Sequence, residues 1–393
     1  MRTLTTGIPL VFVSALLSAG PAFTQTTSPV ANVYVQAKTG VYLYSADSAG
    51  QLTLVKGSPF AETGQMEGVE RTFLITVGTD DLHSYNLESN GGVGGQASEI
   101  NTQSYSGADC GTTFDPSILD HNGEYFSVQL YGATYEDQGG AYDLCSAWQT
   151  YKIASNGEFT FLGDTVNSDQ YAIRGNAEPL GISTYSSSDT FAYGIVANEN
   201  ANSFSAYTRG AAGDLITNAN FSQTGPTPNP AVTDSSYFPV LVAADPANHL
   251  AALVNTPFTS STQVQVASFT INNSTGAVAS TNTYANMPVL HVVPRTMAMS
   301  WTGNLVAVGG APGLQIFHFN GAAPATVFGS VLLPSVDIDQ LAWDKSGHLY
   351  ALSYKSQELY VYDVTTTSIT AEPGSPYRIP GAYGYSGLIV VPK

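Results

Sequence analysis

Short apolar runs, each introduced by a small or polar turn, recur seven times along the chain. They read ANVYVQA from Ala31, RTFLITVG from Arg71, NGEYFSVQL from Asn122, DTFAYGIVAN from Asp189, NHLAALVN from Asn248, GNLVAVGG from Gly303 and GHLYALS from Gly347. Each is followed by a segment in which apolar and polar residues alternate: GVYLYSAD, DLHSYNL, AWQTYKI, NSFSAYT, VQVASFTI, GLQIFHFN and ELYVYDV. Both patterns predict β-strands. A turn and a weaker strand come next, as in NGEFTFLG from Asn156. A short apolar run stands ahead of most copies, such as VLVAAD from Val240, TMAMSW from Thr296 and IDQLAWD from Ile338.

Four strands in that order, repeated every 40 to 65 residues or so, are the pattern of propeller blades with loop insertions. The two ends complete the picture. The first unit begins at Asn32 with no strand ahead of it, whereas the chain finishes on a leftover strand, YSGLIVVPK, from Tyr385 to Lys393. Pairing the two would supply the missing inner strand of the first blade, close the ring and remove a sheet edge. The expected fold is therefore all-β: a seven-bladed β-propeller of four-stranded blades, closed by its C-terminal strand. A tandem of eight-stranded sandwiches is the alternative, and it leaves that last strand without a place.

Composition changes this picture little but narrows the function. Charged residues are only 11% of the chain, and 30 acids stand against 12 bases for a net charge of −18. Phosphate contacts need clustered Lys and Arg, so nucleic acid and anionic membranes are excluded as partners. Residues Ile8 to Ala19 are almost all apolar, follow Arg2 and precede Gly20-Pro21-Ala22. Such a segment is too short to span a bilayer and suits the core of a signal peptide. Residues 1–22 are thus expected to be a signal peptide, 23–30 a linker and 31–393 a single propeller domain. The mature protein is expected to be exported, periplasmic or extracellular, monomeric and without a membrane span. Export places Cys110 and Cys145 in an oxidising compartment, where a disulfide between them is the natural reading. It would pin the insertion YGATYEDQGGAYDLCSAW over one face of the ring.

One phrase occurs near both ends: YLYSADSAGQLTLVKGSPF from Tyr42 and LYVYDVTTTSITAEPGSPY from Leu359. Together with the seven apolar runs, it resembles the lactonase-like seven-bladed propellers, also described as 6-phosphogluconolactonase-like or YVTN-type repeat proteins. The resemblance covers the whole mature chain and implies the fold; activity is a separate question, because propellers host many functions. If the chain is an enzyme, the resemblance implies hydrolysis of a sugar-type lactone. Its catalytic set pairs an arginine for the developing oxyanion with a glutamate or histidine for proton transfer.

Here that set is broken up. Asn198-Glu199, in VANENANSFSAY, occupies the glutamate position of the fourth unit. Leu180 stands where that unit's arginine is expected, and Arg174 lies upstream. The Pro-Arg match is Pro294-Arg295 in the sixth unit, with His291 nearby and Gly309-Gly310 at the glutamate position. Glu199, Arg295 and His291 are therefore the catalytic candidates, and Arg174, Tyr135 and Asp137 the ligand-binding ones. Each has a plainer reading: Glu199 as a turn residue, Arg295 as an ion pair between blades, the Tyr-rich insertion as an exposed hairpin. No histidine pair has metal-ligand spacing, no phosphate-cradling loop occurs, and no cofactor is expected. The sequence thus leaves two functions: a module that binds a small molecule or a protein, and a lactone hydrolase.

Overall fold

The computed structural model describes residues 28–61, 64–78, 81–101, 113–131, 135–136, 142–143, 146–166, 184–196, 203–231, 237–255, 263–383 and 387–393. Seven antiparallel meanders are arranged as blades. The seven second strands are Ala31–Ala37, Phe73–Val77, Tyr125–Tyr131, Phe191–Val196, His249–Asn255, Leu305–Ala311 and His348–Ser353, one in each predicted apolar run. The inner strands ahead of the last three are Phe238–Ala244, Val293–Met299 and Gln340–Trp343. In blade 4 the described inner strand is only Thr184–Tyr185. The blade 3 insertion carries a short ribbon, Tyr135–Glu136 paired with Tyr142–Asp143.

The ring closes as the chain ends imply. Leu388–Pro392 pairs antiparallel with Ala31–Ala37 and becomes the inner strand of blade 1. Blade 1 is therefore built from both ends of the described chain.

The hydrophobic pattern follows from the ring. Each large apolar cluster lies between two neighbouring blades, so a second strand is covered on both faces and has no solvent side. Ala31–Ala37 is buried at every position. One cluster joins Tyr193 and Ile195 of blade 4 to Leu250, Phe269 and Val278 of blade 5. Another joins Ile75 and Leu82 of blade 2 to Phe126 and Tyr151 of blade 3.

Tyrosines and serines in this core find partners on the neighbouring blade. The hydroxyls of Tyr34, Ser84 and Tyr193 donate to the carbonyls of Gly91, Gly157 and Gly276, at 2.8–2.9 Å. In each pair the glycine sits in the outer hairpin of the next blade, so one side chain latches two blades. Gly276 has φ +71°, and a Cβ there would lie 2.6 Å from both Phe191 Cδ1 and Asn218 Nδ2. Gly329 has a similar φ of +74° but no neighbour closer than 3.4 Å. Gly329→Ala should therefore cost about 1 kcal/mol of backbone strain alone. Gly276→Ala should add overpacking, for a total of about 2–4 kcal/mol. Paired urea melts of the two variants test the difference.

The repeated Gly-Ser-Pro-aromatic phrase is a blade edge. Ser58 Oγ accepts from the Leu43 amide at 3.0 Å, and Ser375 Oγ accepts from the Val361 amide at 2.9 Å. In both blades the outer strand has ended, and the serine satisfies the third strand's exposed backbone in its place. The aromatic residue then reaches the next blade. Tyr377 Oη accepts from the Leu52 amide of blade 1 at 3.0 Å, while Phe60 packs on Gly92 of blade 2.

Candidate functional site

In this meander, the segments leading into inner strands and the turns between second and third strands gather on one face. Arg295 lies there, and its position follows from a local irregularity. The pairing of Val293–Met299 with Leu305–Ala311 shifts register between Pro294 and Thr296, leaving Arg295 out of the ladder. Pro294 has no amide to donate, and a bulge re-aims the side chain that follows it. Arg295 reaches into blade 7: Nη1 is 2.7 Å from Asp339 Oδ1 and Nη2 is 3.6 Å from Asp337 Oδ2.

Both aspartates are further engaged. Asp339 Oδ2 accepts from the Tyr354 amide at 2.8 Å, and Lys355 Nζ lies 3.7 Å from Asp337 Oδ2. Tyr354 carries the chain of contacts into blade 1, where its hydroxyl meets Gly387 at the start of the closing segment. Burial pushes the Tyr354 phenol well above its ordinary value, and the Asp339 charge acts in the same direction. The result is a charge-balanced cluster of two cations and two carboxylates across the seam of the ring. Arg295 stays 42% exposed at the side chain, so the cluster faces solvent.

His291 lies in the connection entering blade 6. Its amide donates to the buried Gln315 Oε1 at 2.9 Å, which holds the backbone, while the residue as a whole is exposed. Gly309 and Gly310 owe their identity to close approach. A Cβ on Gly310 would overlap the Val293 carbonyl oxygen, and one on Gly309 would lie 2.6 Å from Ile338 Cγ2. A side chain at Gly310 would have to move backbone, and one at Gly309 would have to displace the side chains of Ile338 and Thr296. Glu199, Asp137, Arg174, Cys110 and Cys145 lie outside the described residues, and Tyr135 falls in the short blade 3 ribbon. The geometry accordingly joins Arg295 to Asp337 and Asp339, partners that the catalytic expectation did not include. The Asp-x-Asp spacing of SVDIDQLAW was their only signal in the sequence. Among the described residues, no group of three His, Cys, Asp or Glu side chains can hold a metal ion.

The opposite face bears the turns between inner and second strands, and it too is polar. Asp245 and Asp344 each accept a backbone amide and a ring nitrogen from a histidine four residues on, His249 and His348. These pairs close their own hairpins.

No protein-family model matches this chain, and no curated protein matches it. Solved structures do. A protein from Lactobacillus plantarum superposes with TM-score 0.63 at 13% identity, over 93% of this chain and 100% of that one. A candidate 6-phosphogluconolactonase from Bacteroides fragilis gives 0.56 at 12%, over 94% and 99%. The periplasmic gluconolactonase of Pseudomonas aeruginosa gives 0.51 at 11%, over 90% and 84%. The fold is a seven-bladed propeller, as in these neighbours. At these identities the likeness extends to the path of the chain, not to its side chains.

Proposed function

We propose that this is an exported propeller that binds a small polyhydroxylated, sugar-type molecule without hydrolysing it. The observation that carries this reading is the environment of Arg295. A guanidinium held by two carboxylates has its charge spent, and it is poorly placed to stabilise an oxyanion. Carboxylates that already accept from cations and a backbone amide are poor general bases for the same reason. A half-exposed, charge-balanced set of donors and acceptors suits exchange of hydrogen bonds with hydroxyl groups instead. Export is supported by the apolar N-terminal segment, and one structural neighbour is itself named as periplasmic.

A second reading, lactone hydrolysis, is favoured by the names of two neighbours and by the Asn198-Glu199 pair in the sequence of the fourth unit. The two readings part in one assay. Purified protein is incubated with a panel of sugar lactones, alongside Glu199→Gln and Arg295→Ala. Turnover by the wild-type protein should not exceed spontaneous hydrolysis, and calorimetry with the same compounds should give binding that Arg295→Ala weakens about tenfold. Turnover that Glu199→Gln abolishes would establish the hydrolase. Binding that Arg295→Ala leaves unchanged would remove the cluster from the site.

A further inference from the structure

On the face opposite Arg295, blades 2, 3 and 4 meet around one buried acid. Glu70 ends the inner strand Gln65–Glu70 of blade 2 and is 4% exposed. Its carboxyl lies against the blade 3 turn: a Cβ on Gly123 would be 2.5 Å from Glu70 Oε2. That turn is gripped from the other side by Asp189 of blade 4. Asp189 accepts from the His121 amide at 3.2 and 3.1 Å, from Asn122 Nδ2 at 2.9 Å and pairs with His121 Nδ1 at 2.6 Å.

The neighbouring charges are already committed. Asp120 accepts the amides of Glu124 and Tyr125 through Oδ1, and its Oδ2 lies 3.3 Å from Arg209 Nη2. Arg209 also donates to the carbonyls of Asp189 and Gly213, and its guanidinium lies over the rings of Tyr125 and Tyr185 at 4.4 and 5.0 Å. Arg71, beside Glu70 in sequence, pairs with Glu124 at 3.2 Å and donates to the Ile153 carbonyl at 3.4 Å. The acids Glu70, Asp120, Glu124 and Asp189 thus share Arg71, Arg209 and His121. Among the described residues, Glu70 is the one of these four acids that no cation pairs with.

We propose that Glu70 is a proton-held latch between blades 2, 3 and 4: its neutral carboxyl seats the blade 3 turn, and loss of the proton loosens that seat. The proton passes to solvent base, and no other reactant is involved. Ionisation would place an unpaired charge in a buried site already facing Asp120 and Asp189, which is a large electrostatic cost. Burial raises the Glu70 carboxyl to about 8, with Asp120 and Asp189 pushing the same way and Arg71 opposing. A carboxyl raised on folding contributes stability that is complete below its ordinary range and lost as pH rises through about 8. His121 is raised as well, by its hydrogen bond to Asp189, so its contribution is also lost with rising pH.

The test separates the two groups. Hydrogen exchange of the full-length protein is followed between pH 6 and 9.5 at the amides of His121, Glu124 and Tyr125, corrected for intrinsic exchange. Wild-type protection should fall about tenfold or more across pH 7 to 9, as local opening becomes easier. Glu70→Gln and Glu70→Leu, which cannot ionise, should both lose the Glu70 part of that fall and keep only the smaller part that His121 contributes. His121→Asn should retain the drop near pH 8. The same drop in both Glu70 variants, or its disappearance in His121→Asn alone, would overturn the latch.

Discussion

Removal of residues 387–393 is expected to leave no folded monomer. Those residues supply the whole inner strand of blade 1, and its side chains serve two cores at once. Leu388 and Val390 pack into the cluster shared by blades 7 and 1, and Ile389 and Val391 into the one shared by blades 1 and 2. Alternation along one strand is what splits them. Their burial contributes on the order of 5 kcal/mol, before the loss of ladder pairing with Ala31–Ala37. Domains of this kind are stable by about 5–15 kcal/mol in all, so the loss is decisive. The truncated chain should elute as aggregate and show no cooperative melt by circular dichroism. A synthetic peptide of residues 387–393 added during refolding should restore part of the monomer peak. A truncated protein that melts cooperatively near the wild-type temperature would show that closure is dispensable.

Asp344→Ala is expected to be the most costly single substitution in a turn, at about 3–5 kcal/mol. Asp344 is 1% exposed and accepts from the amides of Ser346 and His348, from the His348 ring and from Tyr350 Oη, at 2.7–3.0 Å. Truncation strands all of these donors, most of them buried. Burial by itself would raise this carboxyl, but the His348 ring and amide outweigh it and hold it below its ordinary value. Asp344 thus contributes stability that is present above the ordinary carboxylate pKa and lost as pH falls through its lowered folded value. The comparison is Asp47→Ala. Asp47 makes the same kind of turn through the amides of Ala49 and Gln51, at the exposed rim of blade 1. It should cost no more than about 1 kcal/mol. Urea melts at neutral pH give both values, and equal losses would contradict this account.

The fold was legible because propeller blades write themselves into local pattern. A second strand sandwiched between two other blades has no solvent face, so NHLAALVN and GHLYALS carry almost no polar residues between their ends. The Gly-Ser-Pro phrase was legible as a unit boundary for a similar reason. Its serine has one job, to satisfy the backbone of the strand beside it, and that job recurs in blades 1 and 7.

The candidate site was legible only in part. Pro294-Arg295 identified a position through its match to the segment that the resemblance implies; the bulge there came from the structure. What Arg295 touches could not be read, because Asp337 and Asp339 are more than forty residues further on and meet it only across a blade boundary. The pairing of His121 with Asp189 could not be read for the same reason, since the two are 68 residues apart.

By itself, then, the sequence determined the number of blades, the strands of each and the pairing of the two chain ends. These depend on hydrophobic period and turn chemistry, which act between near neighbours. The tertiary structure decided the electrostatics: it spent the charge of Arg295 on blade 7 and left Glu70, between blades 2 and 3, without an ion-pair partner among the described residues. Charge balance depends on which turns the ring brings within a few ångströms of one another, and no local pattern encodes that distance.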